Sequence, residues 1–103
     1  MQDRVLSLLG LATRARMVKS GEFAAEKAIK DGSAFLVIIA GDASDNTKKH
    51  FNDMCKYRKI PVYTYSTREN LGKCTGSAMR ASIAVTDQGF SEKIMSILQE
   101  VTI

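Results

Sequence analysis

Cysteine and histidine are scarce in this sequence. Its 103 residues include one histidine and two cysteines, Cys55 and Cys74, which stand 19 positions apart without forming a CxxC pair. A structural zinc site therefore lacks its ligands, and both cysteines are expected to be free thiols in a reducing compartment. The sequence predicts neither a metal nor a cofactor.

Proline and long apolar runs are scarce as well. A single proline and the lack of low-complexity segments argue against disorder and flexible linkers. The longest apolar run, AFLVIIAG, falls far short of the roughly 18 residues that a membrane helix needs. The first ten residues are too charged for a signal peptide. We expect one cytoplasmic domain over residues 1–103, with no membrane partner.

Positive charge is present in excess. The 15 lysines and arginines against 11 aspartates and glutamates give a net charge of +4 and a pI near 9.2. A chain of this kind favours anionic partners, RNA first, although many basic proteins bind nothing in particular.

Apolar spacing and turn residues predict helices that alternate with strands. The helices are expected near residues 2–15, 22–31, 44–59, 68–73 and 90–101, and the strands near 17–19, 35–40, 62–66 and 82–87. This alternation predicts an α/β fold, a three-layer α/β/α sandwich around a mixed sheet of about four strands.

The stretch KSGEFAAEKAIKDG, residues 19–32, contains an aromatic residue in an unusual place. At 100° per residue the alanines and Ile29 share one side of the predicted helix, whereas Phe23 falls on the other side with Lys27 and Lys30. Phe23 could pack on a neighbouring loop as a staple. Alternatively it could be a stacking platform beside a helix N-terminus that attracts phosphate, where Gly21 permits close approach.

The stretch NLGKCTGSAMRAS, residues 70–82, invites comparison with a phosphate-binding loop. The comparison fails, because Thr67 stands where the first glycine belongs and Cys74 where Ser or Thr should follow the lysine. What remains is a glycine-containing loop with cations and an apolar tip, which could also be a plain connection between a helix and a strand.

An enzyme site has little support in the sequence. Gly41 and Asp42 follow the predicted core strand, where α/β proteins often bind ligands. Asp42 has no acidic partner nearby in sequence, so helix capping or turn formation is the favoured interpretation. No nucleophile elbow is present. We predict no catalytic residues.

Several motifs occur together in a specific order: GEFAAEKAIKDGSAFLVIIAGDAS, CKYRKIPVYTY, LGKCTG and IAVTDQGF. In this combination the chain resembles the ribosomal protein L7Ae family, which includes L30e proteins. It is most similar to the small bacterial YlxQ-like members, which share LLGLATRAR and VTDQGF. The resemblance implies an α/β/α sandwich and a non-catalytic protein that binds kink-turn RNA, often in association with the ribosome.

The resemblance also implies an RNA-binding site. Gly21 matches the family glycine at the helix start, Lys27 the lysine that reaches guanine edges, and Lys73 a cation near the phosphates. The segment 78–80 matches the loop that covers a base turned out of the stack. The complete predicted set is Arg16, Lys19, Gly21, Glu22, Phe23, Lys27, Lys73, Ala78, Met79 and Arg80.

The chain departs from the family pattern at three positions. Archaeal members carry Asn-Glu where this chain has Phe23-Ala24, and commonly Thr where it has Glu26. Phe23 is therefore predicted to stack on RNA where relatives form hydrogen bonds. The alternative is a protein-interaction module on the same fold, with Phe23 and Met79 in an apolar contact patch. In either case we expect a monomer that does not bind DNA.

Overall fold

The predicted alternation of helices and strands is present in the computed structural model, which describes residues 3–101. The elements in that range are α1 Arg4–Arg14, β1 Val18–Ser20, α2 Glu22–Lys30, β2 Leu36–Ile39, α3 Asp45–Arg58, β3 Val62–Thr64, α4 Arg68–Cys74, β4 Ser82–Val85 and α5 Gln88–Val101. Each differs from its predicted bounds by a few residues at most. Residue 2, where the predicted first helix begins, lies outside the described residues.

The four strands form one mixed sheet in the order β1-β4-β2-β3. β4 is antiparallel to both of its neighbours, whereas β2 and β3 are parallel. Helices α2 and α3 pack together on one face of the sheet, and α1, α4 and α5 pack on the other. This arrangement confirms the predicted three-layer sandwich.

The two central strands are apolar because helices cover both of their faces. Every residue of β2 and of β4 is buried, whereas the outer strands β1 and β3 are only half-buried. The continuous apolar run of β2 follows from this position. Phe35, predicted as the first residue of β2, lies just outside the strand and is 43% exposed.

Strand direction brings distant parts of the chain to one end of the sheet. β1, β2 and β3 all end where β4 begins, as the pairs Ser20–Ile83 and Ile39–Ser82 show. Gly21, Gly41 and the loop of residues 75–81 that precedes β4 therefore meet at this end. We call it the Gly21 end. The last residues of α2 and α3 lie at the opposite end.

Short polar side chains fix the starts of three helices. Asp3 accepts a hydrogen bond from the N–H of Leu6, Ser44 from that of Thr47, and Thr67 from that of Asn70, at 3.0–3.1 Å. The cap of Ser44 was predicted from the sequence. The predicted stop of α2 at Gly32 is also present, because that glycine adopts a φ of +81° just after the helix.

Lys59 ends α3 in a conformation that favours glycine. Its φ is 59° and its ψ is 39°, in the left-handed region, and its N–H donates to the carbonyl of Lys56. A residue that carries a Cβ atom is strained in this region of backbone conformation, whereas glycine adopts it without strain.

We therefore expect Lys59→Gly to raise the free energy of unfolding by ~0.5–1 kcal/mol. The control is Lys56→Gly, one turn earlier within the helix, which should lower it by ~1 kcal/mol. Urea unfolding of the two variants measures both changes. Equal destabilisation by the two substitutions would contradict the strain at Lys59.

Candidate functional site

Gly21 begins α2 without a capping side chain. Its φ is +95°, a conformation that other residues rarely adopt, and its own N–H donates to the carbonyl of Ser82 at 2.9 Å. The first N–H groups of a helix have no partner within the helix, and the helix dipole adds positive potential at the same place. The start of α2 therefore offers N–H donors to an anion.

The side chain of Arg80 lies directly against Gly21. A Cβ atom on Gly21 would stand 3.5 Å from Arg80 Nε and 3.6 Å from its Cδ. Arg80 Nη1 donates to the carbonyl of Met79 at 2.8 Å, and the backbone N–H of Arg80 donates to the carbonyl of Arg68 at 3.0 Å. Arg80 thus joins the 75–81 loop to the start of α2.

The 75–81 loop rests on α4 at Gly72. A Cβ atom on this buried glycine would lie 2.3 Å from the carbonyl oxygen of Ala78 and 2.9 Å from the Cα of Met79. Only glycine allows the loop to approach the helix this closely. On the outer side of the loop Ala78 and Met79 are exposed, Met79 by 52%.

Phe23 is 82% exposed, in the first turn of α2. This confirms the predicted position away from the alanine face, where Ala25, Ala28 and Ile29 are buried, and it excludes the alternative of a packed staple. Lys27 lies one turn further along and is also exposed. Phe23 and Lys27 line a shallow depression of about 360 Å³ that Lys19 of strand β1 also borders.

Glu26 directs its carboxylate towards α3. It stands where archaeal members of the L7Ae family commonly carry threonine. His50 forms a hydrogen bond with this carboxylate, and Lys30 Nζ lies 4.0 Å from it. The hydrogen bond from His50, assisted by the charge of Lys30, holds the pKa of Glu26 below its usual value. His50 is exposed yet makes this contact between α2 and α3.

Asp42 ties two loops together at the Gly21 end. Its Oδ1 accepts from the backbone N–H of Arg68 at 2.8 Å, and its Oδ2 lies 3.6 Å from Arg68 Nε. The backbone hydrogen bond lowers the pKa of the Asp42 carboxyl. The predicted role as a helix cap is thus present, but it serves the start of α4 instead of the adjacent α3.

The pattern of the ribosomal protein L7Ae/L30e/S12e/Gadd45 family matches residues 3–95. The chain belongs to this family. The resemblance predicted from the motifs is thereby confirmed.

Two curated proteins and one solved structure are similar to this member of the L7Ae family. The RNA-binding protein YlxQ of Bacillus subtilis is 47% identical over 88% of this chain and 91% of its own length. The large ribosomal subunit protein eL8 of Thermoplasma volcanium is 27% identical over 91% of this chain and 78% of its own length. A protein of unknown function from Bacillus halodurans is 41% identical and superposes with a TM-score of 0.91, covering 95% of this chain and 99% of that one.

The structure brings most of the predicted site residues of this L7Ae-family chain together. Those at or beside the Gly21 end, on α2, β1 and the 75–81 loop, are Lys19, Gly21, Glu22, Phe23, Lys27, Ala78, Met79 and Arg80. Lys73 is exposed on α4, and its Nζ lies 3.7 Å from Glu69.

Arg16 does not belong to this cluster. It occupies the turn before β1 with a φ of 62°, at the end of that strand away from Gly21. About 16 Å of extended chain separates it from Gly21. Arg16 was assigned from its closeness in sequence to Lys19, but the intervening strand carries it to the opposite end of the sheet.

Arg68 is a further candidate that sequence patterns did not indicate. Its carbonyl accepts the N–H of Arg80, and its guanidinium lies beside Asp42 at the Gly21 end. Both contacts join residues more than ten positions apart, so no local spacing could have indicated them.

Residues 3–101 contain neither a group of potential metal ligands nor a helix that could span a membrane. In that range no three His, Cys, Asp or Glu side chains are grouped so as to hold a metal ion. None of the helices described there is long and apolar enough to cross a bilayer.

Proposed function

We propose that this protein is a non-catalytic RNA-binding protein that recognises kink-turn-type RNA with its Gly21 end. The observation that carries the proposal is the contact of Arg80 with Gly21, which joins two segments more than 50 residues apart into one surface. Its named relatives, an RNA-binding protein and a ribosomal protein, support an RNA partner.

The start of α2 is suited to the RNA backbone. The unpaired N–H groups after Gly21 and the helix dipole favour a phosphate, and glycine allows the backbone to approach. Lys19 and Lys27 line the same depression as Phe23 and outnumber its one acidic lining residue, Asp31. Lys27 is thereby proposed to reach base edges, with Lys73 nearer the phosphates of the same RNA.

The exposed apolar groups are suited to unstacked bases. Phe23 is exposed enough to stack a base on its ring, and Ala78 and Met79 could cover a base turned out of the helix. Because the Glu26 carboxylate is engaged by His50 and Lys30, its charge is partly balanced on the side of α2 that faces α3.

A protein partner is the second candidate function. The 82% exposure of Phe23 and the 52% exposure of Met79 give the Gly21 end an apolar component that a protein could cover. We favour RNA because cations border Phe23 and the helix start is open to anions. We further propose a cytoplasmic, ribosome-associated monomer whose single domain acts without metal or cofactor.

Salt titration tests the choice between these partners. If about four phosphates are neutralised, log K for a kink-turn RNA should fall with log salt at a slope of about −3 to −4. The control is an RNA of equal length whose sheared G·A pairs are replaced by Watson–Crick pairs, which should bind at least tenfold more weakly. Filter binding or fluorescence anisotropy measures both.

Two results would oppose the proposal. A slope near zero would favour the protein partner, since phosphate contacts release counterions. Equal affinity for the two RNAs would retain RNA binding but exclude recognition of the kink turn.

A further inference from the structure

A second basic surface lies at the opposite end of the sheet from Gly21. There a groove of about 510 Å³ separates the end of α2 from the end of α3 and the start of β3. Its lining residues are Ile29, Lys30, Gly32, Ala34, Phe35, Arg58, Lys59, Ile60 and Pro61. We call this surface the α2–α3 groove.

The lining of the α2–α3 groove combines cations with apolar side chains. Lys30, Arg58 and Lys59 are exposed and line it, and no carboxylate is among its described lining residues. The nearest acidic partner of Lys30 is Glu26, at 4.0 Å, which His50 also engages. The groove therefore attracts a polyanion.

Aromatic groups accompany these cations. Tyr57 is 81% exposed on the last turn of α3, and the guanidinium of Arg58 lies 5.4 Å from the centre of its ring. The ring of Phe35, within the groove, is 43% exposed. Exposed rings next to Arg and Lys are common on nucleic-acid-binding surfaces, where the cations follow the phosphate backbone.

Cations at the ends of helices have an ordinary structural explanation, since they interact favourably with the helix dipole. That explanation applies to Lys30 and Arg58, which are in the last turns of α2 and α3. It does not account for Lys59, which lies beyond the helix in a strained conformation, or for the exposure of Tyr57.

The groove is continuous with the surface proposed to bind RNA. Lys30 lines it and also lines a second depression on α2, of about 350 Å³, whose other lining residues are Phe23, Glu26, Lys27 and Asp31. The nine residues of α2 cover about 13 Å at 1.5 Å per residue. This length corresponds to roughly four to five base pairs of a duplex.

We propose that the α2–α3 groove is a second contact surface for the same RNA, which binds the phosphate backbone of a stem that runs along α2. This inference rests on the proposed function of the Gly21 end. It assigns Arg58 and Lys59 to phosphates, with Tyr57 beside them. A stem shorter than about four base pairs would reach the Gly21 end but not the groove.

The test compares the full-length protein with two double variants of equal charge. Arg58→Gln with Lys59→Gly removes two cations from the groove, and Lys59→Gly should not unfold the protein because it relieves strain. Arg4→Gln with Lys93→Gln removes two exposed cations from α1 and α5, on the other face of the sheet. Each is titrated over a range of salt with kink-turn RNA that has long stems or stems of about three base pairs.

We expect the groove variant to raise Kd for the long-stemmed RNA by about tenfold at low salt and to reduce the salt slope by about 1.4–1.8. It should bind the short-stemmed RNA like the wild type, and the control variant should behave like the wild type with both RNAs.

Three results would overturn the groove proposal. The first is an unchanged slope of log K against log salt for the groove variant. The second is an equal loss of RNA affinity in the groove and control variants. The third is a groove variant that loses as much affinity for the short-stemmed RNA as for the long-stemmed RNA. The first two leave the Gly21 end as an RNA site if the wild type still discriminates kink-turn RNA. If the wild type binds neither RNA, the proposed function itself fails and the groove proposal fails with it.

Discussion

Replacing Gly72 by alanine should destabilise the protein by about 1–3 kcal/mol, the cost of overpacking a well-packed contact. The added methyl group would lie 2.3 Å from the carbonyl oxygen of Ala78, so the 75–81 loop or α4 must shift. That shift would move Arg80 away from Gly21 and lower RNA affinity at least tenfold in the fraction that remains folded. Thermal or urea unfolding and RNA titration measure the two effects.

Gly10→Ala is the matched control for Gly72→Ala. Both glycines lie within helices, but a Cβ atom on Gly10 would stand 3.5 Å from the carbonyl oxygen of Cys74, an ordinary contact. Gly10→Ala should therefore be neutral or stabilise the protein by up to ~1 kcal/mol through helix propensity. Similar unfolding curves for the two variants would show that the loop does not rest on Gly72 as described.

Replacing Phe23 by alanine should weaken RNA binding by ~1–3 kcal/mol, the typical contribution of a stacked aromatic side chain. The same change should alter the free energy of unfolding little, because a ring that is 82% exposed withdraws little apolar area from water. Phe23→Trp, which retains a stacking surface, should restore most of the affinity. RNA titrations and thermal melts of both variants provide the measurements.

Two controls separate stacking from charge and from general apolar loss. Leu11→Ala removes an exposed apolar side chain from α1 and should not change RNA affinity. Lys27→Ala should weaken binding by an amount that shrinks as salt rises, since salt screens exposed charges, whereas the loss from Phe23→Ala should persist. If Phe23→Ala melts early while its folded fraction binds normally, the ring is a structural residue.

The sequence alone determined the secondary structure and the exposure of individual helix positions. Helical periodicity depends on residues three and four apart, so it placed Phe23 opposite the buried Ala25 and Ile29 before any tertiary contact was known. The buried run of β2 and the caps of its neighbouring helices are equally local signals. The family motifs added the fold and the matching glycine at the start of α2.

Only the tertiary structure decided which distant residues share a surface. The strand order β1-β4-β2-β3 carries Arg80 to Gly21 and Asp42 to Arg68, and the direction of β1 carries Arg16 away from both. These contacts arise from strand pairing and helix packing across long separations, which no short-range pattern encodes. For the same reason the clustering of basic and aromatic groups at the ends of α2 and α3 became apparent only when the two helices were packed on one face of the sheet.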